Sequence, residues 1–163
     1  ALAWRGRWGE ALAANETAIA LIPWSVGHVT DRGAFLLLTG RQPEAESQVL
    51  RAIGMDPPGS AYEFRNLCMA RLLMGRYDEA ALDCERAGGG DLFAADQLLL
   101  AAIYAQRGDT AKAAIARTEL LKQQPGIAIG NSFWARISDV PAYRRQLEEH
   151  LHAGLRKTGI PER

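Results

Sequence analysis

The side chains best suited to nucleophilic or metal chemistry are few. His150 and His152 stand two apart on a predicted helix, where they project in different directions and cannot readily hold one ion. They read as a solvated face whose charge suits a helix C-terminus. His28 lies near a predicted helix start, with no histidine or cysteine close in sequence. Cys68 and Cys84 fall on the two helices of one predicted hairpin, at positions where small residues pack. They are expected as buried reduced thiols. A bridge between the facing helices is geometrically conceivable, but two cysteines make neither a disulfide framework nor a zinc set. The run Gly88-Gly89-Gly90-Asp91 lacks the spacing and following lysine of a phosphate loop and reads as a loosened turn. Asp78 and Glu79 are paired carboxylates at solvent-facing positions. No serine, histidine and acid share a plausible site. The segment is therefore expected to be non-catalytic, without metal or cofactor.

The bulk properties agree with a folded binding domain. The chain has 163 residues, 48% apolar and 23% charged, enough for one compact core and unlike a disordered chain. Lys plus Arg and Asp plus Glu are 19 each, so no basic excess exists to grip phosphates, and no nucleic-acid partner is expected. The longest apolar run, Leu98 to Ala105, has eight residues, against about 20 for a membrane helix; no direct membrane contact is expected. The sequence opens at Ala1 inside a helical pattern and reads as a fragment of a longer protein.

What positions these side chains is a repeat. Gly6, Gly40, Gly75 and Gly108 are separated by 34, 35 and 33 residues. Five residues after each stands Ala11, Ala45, Ala80 or Ala113, and seventeen after three of them stands Pro23, Pro57 or Pro125. A further small position holds Ala18, Ala52 and Ala87, with Leu120 in the last cycle. Each type has a physical role. A glycine accepts the left-handed dihedrals that end a helix. An alanine lets two helices approach closely. A proline lacks the amide proton needed to continue a helix, so it suits the junction between hairpins.

Composition favours Ala, Leu, Arg, Glu and Gln over strand formers. The pattern predicts helices near 5–21, 27–39, 42–54, 61–74, 77–87, 93–106 and 109–123. A loop follows, then a short piece carrying Phe133 and Trp134, then a helix from about Pro141 to Lys157. That last helix bears the stripe Val140, Tyr143, Leu147, Leu151 and Leu155 and is expected to cover the open end of the stack. Trp4, Trp8, Trp24, Phe35, Phe64, Phe93 and Trp134 are expected mainly as packing residues, with Phe133 and Trp134 the ones to watch for exposure.

This register resembles the tetratricopeptide (TPR) family over about residues 3–127. The resemblance implies an all-α fold, a right-handed superhelical stack of antiparallel hairpins with a C-terminal capping helix. The expected division is 1–24 (partial), 26–59, 61–93 and 94–127 as repeats, with 128–163 as loop, capping helix and tail. The tail is similar to the C-termini of bacterial signalling proteins that carry an adenylate/guanylate cyclase domain, or a winged-helix DNA-binding domain, ahead of a TPR region. It shows Leu-Leu-Lys-Gln-Gln-Pro-Gly (120–126), the acidic-Pro-Tyr-Arg element of Asp139 to Arg144, and His-Ala-Gly-Leu-Arg-Lys-Thr-Gly-Ile-Pro-Glu (152–162). The expected role is a cytoplasmic regulatory or docking arm of such a cyclase. The alternative is a self-association module of a winged-helix regulator or other signalling protein.

In the family the leading helix of each hairpin lines a concave face that receives a peptide or partner helix. The matching positions here are Thr30, Ala34 and Leu37; Tyr62, Arg65, Asn66, Met69 and Leu73; and Ala95, Leu98, Ala102 and Gln106. Arg65 and Asn66 are expected to hydrogen-bond a peptide backbone or carboxylate, with Tyr62 and Met69 as apolar anchors. The apolar end at Ala95, Leu98 and Ala102 also suits a second copy of the domain, as a homodimer.

Overall fold

The computed structural model describes residues 6–88 and 93–163. Among these residues seven helices come first: α1 (Trp8–Leu21), α2 (Val26–Leu38), α3 (Gln42–Met55), α4 (Ala61–Leu73), α5 (Tyr77–Gly88), α6 (Ala94–Arg107) and α7 (Thr110–Gln123). α2 pairs with α3, α4 with α5 and α6 with α7, each pair forming a hairpin, while α1 packs on α2. The leading helices also meet directly, α2 on α4 and α4 on α6. The described residues contain helices and turns and no strand. This is a stacked-hairpin solenoid of TPR type. The turn expected at 88–91 lies, from residue 89, outside the described residues, as does Trp4.

Gly40, Gly75 and Gly108 end helices as the repeat spacing predicts. Gly6, Gly40, Gly75 and Gly108 all have φ between +70° and +85°, a region closed to most side chains. At Gly40 and Gly75 the next amide reaches back across the turn, Arg41 N–H to the Leu36 carbonyl and Arg76 N–H to that of Arg71. These bonds satisfy carbonyls the helix end would otherwise orphan. The small positions are buried: Ala45, Ala52, Ala80 and Ala113 all lie in the core.

Two links lock the central hairpins. Arg71 on α4 binds Glu46 on α3 at 2.8 Å and Asp83 on α5 at 2.7 Å, so one guanidinium joins three helices. The second link corrects the reduced thiols expected for Cys68 and Cys84. Their sulfur atoms form a disulfide, with Cα atoms 5.2 Å apart. The hairpin sets two small core positions face to face within bridging distance, which sequence spacing alone does not reveal. No described helix is long and apolar enough to cross a membrane.

After α7 the chain makes one 3-10 turn at Ile129–Asn131 and a short helix, α8 (Phe133–Arg136). It then enters a continuous helical run: α9 (Pro141–Gln146), a π-helical stretch (Leu147–His152) and α10 (Ala153–Lys157). This closing run does more than cap the last hairpin. It crosses the leading helices in turn. Ser138 donates to the Leu38 carbonyl at 2.7 Å beside the end of α2, and Ala142 lies against Gly40. The π-helical stretch packs on α4 and α6, and α10 lies along α6. Tyr143, Leu147, Leu151 and Leu155 are fully buried, so the predicted stripe is the contact face.

Two aromatic expectations need correcting. Trp24 and Phe93 are 74% and 65% exposed, so neither is a packing residue here. Trp8 and Trp134 are buried, and Phe133 is half-exposed.

Candidate functional site: the leading-helix face

The closing run divides the face formed by α2, α4 and α6. Over the C-terminal halves of these helices the face is filled from within. Met69, Leu73 and Ala102 are fully buried. A Cβ added to Gly154 would meet the Ala102 carbonyl oxygen at 2.6 Å, so α10 approaches the α6 backbone as closely as a residue without a side chain permits. Gln106 donates to the His150 carbonyl at 2.8 Å and accepts from Lys157. Of the residues expected in the groove, Met69, Leu73, Ala102 and Gln106 are spent on the protein's own interior or its own closing run; Leu37 is buried but lines the α2-side cavity described below.

Arg65 is also committed. Its Nε and Nη2 donate to the two carboxylate oxygens of Asp96 at 2.6 and 2.9 Å. Asp96, fully buried, also accepts from the Phe93 amide at the start of α6. The fork ties α4 to α6, and Arg65 is raised above its ordinary value chiefly by this bond. The carboxylate it was expected to capture is supplied from inside the chain. Thr30 is similarly occupied: buried, it donates to Glu63 at 2.9 Å, and Glu63 in turn caps α4 through the Ser60 amide.

What stays open is the N-terminal half of the face, with α8 standing on it. On the α6 side, Ala95, Leu98, Phe133 and Arg136 line a cavity of about 510 Å³. On the α2 side, Ala34, Tyr62, Asn66, Phe133 and Trp134 join Trp8, Asp31 and Phe35 around one of about 350 Å³. Phe133, Trp134 and Ile137 belong to both. A third hollow of about 410 Å³ adjoins, sharing Asp31 and Tyr62 and adding Asp56. The structure thus brings Ala34, Leu37, Tyr62 and Asn66 together, and separately Ala95 and Leu98.

The electrostatics of the α2 side are acidic. Among the described residues lining the two hollows that share Asp31, no lysine or arginine appears. Asp31 makes no ion pair among the described residues; its surroundings push its carboxyl above the ordinary value by desolvation, partly offset by His28. Tyr62 is raised chiefly by burial, with the Asn66 amide pulling it down, although Asn66 Nδ2 has no hydrogen bond of normal geometry. Sequence reasoning passed over Trp8, Asp31 and Phe35 as site residues. Trp8 lies on the partial first repeat, and Asp31 and Phe35 fall one position away from the carried-over register of α2.

The two histidines of the closing run act separately. His150 Nδ1 meets the Tyr77 hydroxyl at 2.9 Å, and His152 Nδ1 meets Glu148 at 2.8 Å. The described residues contain no cluster of three or more His, Cys, Asp or Glu able to hold a metal.

No protein-family model matches this sequence, and no curated relative does. Among solved structures it is similar to MamA, a TPR-like protein, with a TM-score of 0.67 and 19% identity over 95% of this chain and 91% of that one. At that identity the likeness speaks to architecture, and it agrees with what the glycines, alanines and hairpins show independently: the chain has a TPR-type helical-repeat fold.

Proposed function

We propose that this segment is a non-catalytic protein-binding module that takes a peptide or partner segment on the N-terminal half of its leading-helix face. The observation that carries this reading is the division of that face. The closing run covers the C-terminal half, while two apolar-walled hollows on either side of α8 remain open, with Tyr62 and Phe133 half-exposed at their rims. Clefts lined by aromatic and aliphatic groups with a few placed polar ones are the usual seats of ligands. Adjoining hollows along a helical-repeat face suit an extended chain. Selection of a random-peptide library against residues 1–163 tests this. Enriched peptides whose binding falls at least tenfold in Phe133→Ala support the reading; peptides indifferent to Phe133 and Tyr62 changes overturn the site.

The parent we propose is a bacterial nucleotide cyclase regulated or localised through this arm. The tail elements 120–126, 139–144 and 152–162 support it. Cyclic-nucleotide production by the parent, measured with and without residues 1–163, tests it. A change on deletion supports a regulatory arm, unchanged production leaves tethering, and no production withdraws the cyclase.

A further inference from the structure

The acidic side of the divided face indicates what it binds. Five aromatic side chains, Trp8, Phe35, Tyr62, Phe133 and Trp134, wall one cavity. Trp8 and Phe35 lie with ring centroids 6.5 Å apart and tilted, and Phe133 and Trp134 pack edge to face at 5.1 Å. The faces of such rings attract a cation, tryptophan most strongly. The charged residue at the cavity is Asp31, which has no ion-pair partner among the described residues and also lines the neighbouring hollow beside Asp56. Elsewhere carboxylates on the leading helices are satisfied internally: Asp96 by Arg65 and Glu63 by Thr30 and Ser60. Asp31 is left over at the mouth of an aromatic box.

A basic side chain of a partner supplies the cation that rings and a carboxylate together would hold. Between the two basic side chains, arginine fits better, because its planar guanidinium stacks on rings and forks onto a carboxylate while lysine offers a strongly hydrated point charge.

We propose that this cavity seats an arginine side chain of a partner peptide, stacked on the half-exposed rings of Tyr62 and Phe133 and paired with Asp31. The proposal rests on the binding-module reading above and reverses the charge of the ligand expected from Arg65. N-acetylarginine amide is the probe. Titrated into residues 1–163, it should shift the indole N–H resonances of Trp8 and Trp134 saturably, leaving that of exposed Trp24 in place. The neutral isostere N-acetylcitrulline amide should bind at least fivefold more weakly, and Asp31→Asn should weaken the arginine probe by a similar factor while leaving the spectrum otherwise folded. Equal affinity for citrulline, indifference to Asp31→Asn, or no saturable shift overturns the proposal. The peptide selection separates the two failures. Enriched peptides lacking arginine keep the module and remove the arginine seat; a saturable arginine shift with no enriched peptide keeps the seat and removes the module.

Discussion

The guanidinium of Arg65 forks onto the carboxylate of Asp96 across the gap between α4 and α6, with the two hydrogen bonds at 2.6 and 2.9 Å. Asp96 is fully buried, so its charge depends on this one cation and on the Phe93 amide. The pair is a strut between repeats at a position where the sequence alone suggested a ligand contact.

Removing the cation should therefore damage folding more than binding. Arg65→Ala leaves a buried carboxylate unpaired and should cost roughly 3 kcal/mol, read as a lowered urea midpoint. Arg65→Lys keeps the charge, loses the fork, and should fall between the two. A variant as stable as the parent would show that the strut is dispensable.

The disulfide offers a second check. Cys68 and Cys84 are both fully buried and enclose a sequence separation of 16 residues. Denatured without reductant, the chain should react with no thiol reagent. Reduction, or Cys84→Ser, should lower stability by about 3 kcal/mol, the scale for closing a loop of that size. Two reactive thiols in the denatured, unreduced chain would contradict the bridge.

Contact between α10 and α6 leaves no room for a methyl group. Gly154→Ala would set a Cβ 2.6 Å from the Ala102 carbonyl oxygen, forcing the closing run outward at a cost of about 1–3 kcal/mol. Gly126→Ala meets nothing within 4 Å and should be close to neutral. Faster hydrogen exchange over residues 141–157 in the first variant and not the second would locate the damage.

His150 gives the fold a dependence on pH. Burial holds its imidazole below the ordinary value of 6.5, so the folded state binds the proton more weakly than the unfolded one. Its contribution is present above pH 6.5 and is lost as pH falls through that value toward the folded pKa. The urea midpoint should drop between pH 7.5 and 6, and His150→Gln should flatten that drop. An unchanged slope in the variant would assign the effect to another group.

Much of the architecture was legible because it is local. Gly40, Gly75 and Gly108 end helices by their own backbone freedom, and the alanines five residues on mark close helix contacts wherever the repeat places them. Helix limits such as Ala61–Leu73 and Thr110–Gln123 follow from caps and periodicity that act within a few residues. The stripe Tyr143, Leu147, Leu151 and Leu155 announced a buried helix face for the same reason.

The candidate site was not local, and there the reading from sequence thinned. Whether Arg65 meets a ligand or Asp96, 31 residues away, depends on how α4 and α6 are spaced, not on the type of either residue. Trp8, Asp31 and Trp134 come to one cavity from three separate segments, and no periodicity links them. Cys68 and Cys84 bond because a hairpin sets them face to face. By itself the sequence determined the hairpins and their order, since short-range hydrogen bonding and side-chain size decide those. Only the tertiary structure decided which half of the leading-helix face stays open and which charge it presents, because the closing run's path and the pairing of buried ions are settled by contacts between residues far apart in the chain.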